Sequence, residues 1–217
     1  MQTKIPLSLF TLSNHLSSIP TPFTTPLTLT ATPVTDLWRK PGIIAHTFPS
    51  LFASIKLSSF HHARVTFHAP WKTLYDQGGV AFIFPPSKHD QGGHPPRWIK
   101  AGVEHVGGVP RVSIVAADKG SWSDWSVGGP PEGTGLGGAN VTLEMVREGP
   151  SLIINVVEGN IKSIVREITW VFEDELLKQD PVVEVGAYVA KPTPEEGDDA
   201  HKKGIKVTFE ELEVWRN

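Results

Sequence analysis

The sequence predicts an all-β sandwich or barrel. Short runs in which apolar and polar residues alternate recur roughly ten to twelve times, which is the period of half-buried strands. The 20 Gly and 19 Pro among 217 residues are spread along the whole chain, so they punctuate many short elements and do not mark one disordered tail. Helical character is confined to one short acidic segment, Glu173–Gln179, which stops before Pro181. No internal repeat and no linker between two cores interrupts this pattern, so one sandwich domain is expected.

Taken in order, residues 1–35 are rich in Thr, Ser and Pro. Proline removes donors and biases its predecessor to extended backbone. The segment is read as an extension or an edge strand, with Leu27, Leu29 and Ala31 alternating against Thr28 and Thr30. Asp36-Leu37-Trp38-Arg39-Lys40-Pro41 then reads as the start of the domain, 36–217, with Trp38 a core or rim aromatic. Residues 51–69 form two strand-like runs bent at Ser58–His62, and Val80–Phe84 is a strand stopped by Pro85-Pro86. Trp98–Val106 and Val109–Ala117 form a hairpin about Gly107-Gly108, and Val141–Arg147 and Leu152–Val157 another about Glu148-Gly149-Pro150. Trp122–Val127 is a strand, and Ile161–Phe172 alternates with Ile164, Ile168 and Trp170 as core candidates. Val182–Ala190 is a strand, Pro192–His201 an acidic loop, and Ile205–Val214 closes the chain with a bulge at Glu210-Glu211.

Composition narrows the function classes. Net charge is −3 with no basic run, so nucleic acid is not an expected partner, because phosphate binding needs clustered Lys and Arg. Without cysteine there are no disulfides, thiolate metal sites or thiol nucleophiles. No window approaches the ~18 apolar residues of a membrane span, and the apolar patch at Leu7–Leu12 is a weak secretory signal broken by Pro6. A soluble, cytoplasmic protein is the expectation, with secretion as the alternative. The nine histidines lack both an H-x-H plus Glu arrangement and H-E-x-x-H, so neither metal nor cofactor is expected. Gly133–Gly138 has no Lys-Ser/Thr after it and is not a phosphate loop.

The chemistry concentrates in residues 75–126. Alternation puts Trp98, Lys100, Gly102 and Glu104 on one strand face and Ile99, Ala101 and Val103 on the other. The apolar set should face the core, leaving the polar set on an outer, concave face. There Lys100 and Glu104 can each meet a ligand, or make cross-strand ion pairs. Lys100 is expected to keep Glu104 ionised. In Ser121–Ser126, Trp122, Asp124 and Ser126 share a face opposite Ser123 and Trp125. An accessible indole with Asp124 offers a platform and an acceptor for a sugar ring. Asp124 could equally bond amides in a turn. Tyr75, Asp76 and Gln77 supply hydrogen-bonding groups before a strand, and Arg147 either completes a charged cluster or pairs with Glu144 or Glu148. Glycoside hydrolysis needs two carboxyls about 5–10 Å apart, for which Glu104 with Asp76 or Asp124 are the candidates.

The same stretches carry a resemblance. Tyr75-Asp76-Gln77-Gly78-Gly79, Trp98-Ile99-Lys100-Ala101-Gly102-Val103-Glu104, Ser123-Asp124-Trp125-Ser126, Gly186-Ala187-Tyr188-Val189-Ala190-Lys191-Pro192 and Val207-Thr208-Phe209-Glu210-Glu211-Leu212 follow one another in order. Over about residues 36–215 the chain resembles the domain-of-unknown-function family that includes the yeast regulation-of-enolase protein. It departs at Val157-Glu158-Gly159-Asn160, where many members have a Ser-x-Asp-Gly hairpin. The resemblance implies a concanavalin A-like jelly roll of two antiparallel sheets, akin to lectin and glucanase domains. Asp76, Gln77, Trp98, Lys100, Glu104, Asp124 and Trp125 match its motifs. The first functional expectation is a non-catalytic site for a saccharide or similar polyhydroxylated ligand, with Trp98 and Trp125 stacking. The alternatives are a glycoside hydrolase using Glu104, and a cytosolic regulator that binds a metabolic enzyme such as enolase.

Overall fold

In a computed structural model, residues 1–15, 19–86, 94–129, 139–197 and 203–217 are described. Sixteen strands and one short helix follow one another among them. They are β1 (Thr3–Lys4), β2 (Thr11–Ser13), β3 (Leu27–Ala31), β4 (Leu37–Lys40), β5 (Ile43–His46), β6 (Ser50–Lys56), β7 (Phe60–His68), β8 (Gln77–Phe84), β9 (Arg97–Val106), β10 (Val109–Ala117), β11 (Asp124–Val127), β12 (Val141–Glu148), β13 (Ser151–Glu158), β14 (Ile161–Ile168), α1 (Asp174–Gln179), β15 (Val182–Ala190) and β16 (Ile205–Arg216).

Two seven-stranded antiparallel sheets face each other in a concanavalin A-like jelly-roll β-sandwich. The first runs β1-β16-β7-β12-β13-β14, with β3 also paired to β16; the second runs β11-β10-β9-β8-β15-β6-β2. The inner faces are built by strict alternation, as in β8, where Val80, Phe82 and Phe84 enter the core, and β9, where Ile99, Ala101 and Val103 meet them. The β9–β10 and β12–β13 hairpins form as expected, and the register of β16 against β7 slips between Phe209 and Glu211. That slip is the bulge at Glu210-Glu211. Helix α1 ends at Asp180, whose left-handed backbone (φ 42°) precedes Pro181.

Three expectations change. The packed body begins before Asp36: β3 is the expected strand at Leu27–Ala31, and with β1 it joins the first sheet, β2 joins the second, and Ile5, Phe10, Leu27 and Leu29 are core residues. Ile164 is not core but 68% exposed, with Ile161 and Val165 exposed beside it. The cause is positional, since β14 is the edge strand of its sheet and slips register against β13 between Ile154 and Asn155. Arg147 pairs with neither Glu144 nor Glu148. It lies on β12 in the first sheet, stacks on Phe172 at 4.6 Å and donates to the Ser58 carbonyl.

The remaining pair, β4–β5, forms a separate two-stranded ribbon over the outer face of the second sheet. Its Leu37 joins Phe48, Phe52, Trp98, Val115 and Tyr188 in a second apolar cluster, against which Trp38 packs. Arg39 anchors the ribbon by donating to the carbonyls of Ser121, Pro96 and Asp118. Most of the outer face is therefore closed. An open end remains beside β11.

Candidate functional site

A cleft of about 400 Å³ lies at that open end, within the size range of small-molecule sites. Trp38 and Lys40 of β4 form one wall, Tyr75 and Trp125 another, and Asp36 and Glu104 line it as well. Val34, Ile43 and Pro192 add apolar surface. The three aromatic rings meet edge to face: Trp38 with Trp125 at 6.1 Å and 88°, and Tyr75 with Trp125 at 6.2 Å and 75°. Two cleft residues hold left-handed backbone that side chains rarely adopt, Val34 at φ 68° and Tyr75 at φ 66°. Strain of that kind concentrates where a structure positions groups for use.

Period-two alternation brings Gln77, Lys100 and Glu104 to this outer face, as the sequence predicts for the last two. The Lys100 ammonium, however, is buried (3% exposed) and already committed. It donates to Asp36 Oδ1 at 2.9 Å and Gln77 Oε1 at 2.7 Å, and lies 5.8 Å from the Trp38 ring centre. Gln77 completes the network by donating to Asp36 and to the Tyr75 carbonyl. These groups set the position of Asp36 and Tyr75 at the cleft and do not themselves face it.

Glu104 does line the cleft. Its Oε2 accepts from Ser113 Oγ at 2.6 Å and Trp125 Nε1 at 3.1 Å, and among the described residues no donor reaches Oε1. Burial raises the Glu104 pKa, and the opposing Lys100 charge and the two hydrogen bonds do not cancel it. The expected pull of Lys100 toward the ionised form is therefore present but outweighed by burial. Tyr188 sits close by: its phenol is held protonated by burial and by the Glu104 and Asp36 charges.

A carboxyl held above its ordinary value binds its proton more tightly in the folded chain than in the unfolded one. Its stabilising contribution is complete below the ordinary glutamate value and is lost as pH rises through the folded value. Glu104→Gln, which keeps the neutral shape, is therefore expected to gain stability relative to wild type across that rise. Urea melts of both proteins over a pH series test this, and a pH-independent difference would refute it.

Besides Gln77, Lys100 and Arg147, three more of the residues singled out from sequence do not reach the cleft. Asp76 stands on the opposite side of the sheet from Gln77, where it accepts from Lys191 Nζ at 2.8 Å and from the amides of Lys72 and Thr73. Asp124 also points the other way, because its neighbour Trp125 takes the outer face. Asp124 is paired with Arg166 of β14. Trp98 is on the outer face but 1% exposed in the second apolar cluster, so it cannot stack on a ligand. No pair of Glu104 with Asp76 or Asp124 therefore flanks one space.

Sequence reasoning missed Asp36 and Trp38 as cleft residues, and Ser113 as the hydroxyl that donates to Glu104. Ser113 had a signal, since it alternates with Val112 and Ile114 on β10 and must face outward. Asp36 and Trp38 had none, because a ribbon folded over a distant sheet leaves no local pattern. Among the described residues no group of three or more His, Asp or Glu could hold a metal ion. His89 and the Gly133–Gly138 run lie outside the described residues.

A family model described as a protein of unknown function (DUF1349) matches residues 20–216, and so takes in β3 and the β4–β5 ribbon. An uncharacterized protein of Emericella nidulans is 37% identical over 193 residues, covering 87% of this chain and 90% of that one. A functionally unknown protein from Saccharomyces cerevisiae has a crystal structure similar to this one, with a TM-score of 0.70, 26% identity and 97% of each chain covered. The winged bean acidic lectin complexed with methyl-alpha-D-galactose shares the fold at a TM-score of 0.56 and 13% identity, over 100% of this chain and 99% of that one.

Proposed function

The chain belongs to this DUF1349 family, whose description assigns no activity, and on that premise we propose that the cleft binds a saccharide or similar polyhydroxylated ligand without transforming it. The observation that carries this reading is the corner of perpendicular rings, Trp38, Trp125 and Tyr75, set beside a carboxyl oxygen that no donor among the described residues occupies. A sugar ring presents an apolar face to such a platform and hydroxyls to such an acceptor. The sandwich shared with a galactoside-bound lectin supports the reading at the level of fold. Trp38 and Trp125 would stack, Glu104 Oε1 would accept from hydroxyls, and Asp36 would offer its outer edge.

Calorimetry of neutral mono- and oligosaccharides against wild type and Trp125→Ala, with product analysis, tests the proposal. Binding without product is expected, weakened about tenfold or more by Trp125→Ala, the loss of roughly 1.4 kcal/mol of ring contact. Absence of binding by any sugar would refute it. Product formation that disappears in Glu104→Gln would replace it with a glycoside hydrolase.

One observation favours a second reading, a regulator that docks on a metabolic enzyme such as enolase. Edge strand β14 exposes Ile161, Ile164 and Val165 on the sheet opposite the one that carries the cleft, and exposed apolar edges suit protein contacts.

A further inference from the structure

We infer that the ligand of the cleft carries a protonated amine, so that the preferred class is an aminated sugar whose ammonium meets Glu104. The inference rests on the saccharide reading and adds the ligand's charge to it.

The first argument compares the buried carboxylates. Among the described residues three are buried: Asp76, Glu104 and Glu144. Asp76 has Lys191 at 2.8 Å and Glu144 has Lys162 at 2.6 Å. Among the described residues no cation lies within ion-pair distance of Glu104. Its hydrogen bonds come from a hydroxyl and an indole, both neutral, and the nearby Lys100 is held by Asp36 and Gln77. A buried carboxylate without a counter-charge is costly unless something supplies one. The cleft is the side from which it can come.

The second argument is the wall. Aromatic faces carry negative quadrupole potential and attract cations within about 6 Å of the ring centre. Trp38 already does so with Lys100 Nζ on the sheet side, at 5.8 Å. The perpendicular setting of Trp38, Trp125 and Tyr75 turns edges against faces, so that a group in the corner meets ring surface on more than one side. Such walls with a carboxylate at the base complement an ammonium better than a hydroxyl.

The third argument concerns the other charges. Asp36, Lys40 and Glu104 are the charged lining residues. Lys40 occupies the exposed end of β4, where water and salt screen it, whereas Glu104 is buried and little screened. An anionic sugar would have to approach Glu104 against its charge. A cationic one replaces the missing partner.

The test is a calorimetric panel of glucose, galactose and mannose, each compared with its 2-amino and N-acetylated 2-amino form, at a pH where the amine is protonated, plus ethanolamine as a sugar-free amine. The amino sugar of at least one ring is expected to bind about tenfold tighter than both of its uncharged counterparts, the gap between a charge-assisted and a neutral hydrogen bond. That ratio should fall toward one in Glu104→Gln. Equal affinities within every set would overturn the inference and leave the saccharide reading standing. Ethanolamine binding as tightly as the amino sugar would overturn the sugar half. No binding by any probe would overturn both. The wild-type ranking alone decides these outcomes if the variant does not fold.

Discussion

Replacing Asp76 with alanine is expected to cost about 3–5 kcal/mol of folding stability, the price of stranding one member of a buried ion pair. Asp76 and Lys191 are 2% and 1% exposed, and their 2.8 Å contact is reinforced by Thr73, which accepts from the same ammonium. The other Asp76 oxygen accepts from the amides of Lys72 and Thr73, so alanine also orphans two backbone donors. Lys191→Met should be destabilising by a similar route, leaving the carboxylate without its cation. The double variant Asp76→Asn with Lys191→Met removes both charges and keeps an amide oxygen for the two backbone donors. It is expected to be more stable than either Asp76→Ala or Lys191→Met. Urea unfolding monitored by tryptophan fluorescence measures all three, and an Asp76→Ala protein within about 1 kcal/mol of wild type would show that the pair contributes little.

The second large effect is expected at Gly102. A Cβ there would lie 2.2 Å from the Gly78 carbonyl oxygen and 2.7 Å from Tyr188 Oη. Neither neighbour can yield easily: the carbonyl belongs to the central β8–β9 ladder, and Tyr188 is buried in the second apolar cluster. Across the outer face Tyr188 pairs with Gly79 and Gly79 with Gly102, so two glycines make the floor over which the phenol reaches toward Glu104. Gly102→Ala should therefore cost about 1–3 kcal/mol or more, as overpacking does in a closed core, and should displace Tyr188 and Glu104 from their present geometry. Gly129→Ala is the control, since among the described residues nothing lies within 4 Å of its added Cβ, and a change within about 0.5 kcal/mol is expected there. Equal melting temperatures for Gly102→Ala and wild type would mean that β8 and β9 can separate without loss.

Both results bear on how the site is made. The cleft residues come from the segment before β4, from β4 and β5, from the turn before β8, from β9 and β11, and from Pro192 after β15. A single buried network, Lys100 with Asp36 and Gln77, ties three of those segments together. Among the described residues Glu104 is left without a bonded cation, because the Lys100 ammonium is held in that assembly.

Much of the fold was legible from local pattern. Alternation assigned Ile99, Ala101 and Val103 to the core and Lys100 and Glu104 to the outer face, and Gly-rich breaks placed the β9–β10 and β12–β13 hairpins. The paired Glu210-Glu211 marked the bulge, because two charged neighbours cannot both follow a period of two. That same rule separates Asp76 from Gln77, and Asp124 from Trp125, onto opposite faces. Grouping each pair in one ligand set ignored a constraint the sequence already contained.

Other features belong to the tertiary structure alone. A period of two says that a strand has two faces but not what covers the outer one, and here the cover is a ribbon from residues 37–46 that turns Trp98 into a core residue. Exposure of Ile164 follows from β14 lying at the edge of its sheet, and strand order is a long-range property. The unpaired state of Glu104 depends on Lys100 choosing Asp36, a residue 64 positions away along the chain. Local sequence determined the strands and their faces; only the closure of distant segments onto one another decided which polar groups were spent on structure and which were left facing the cleft.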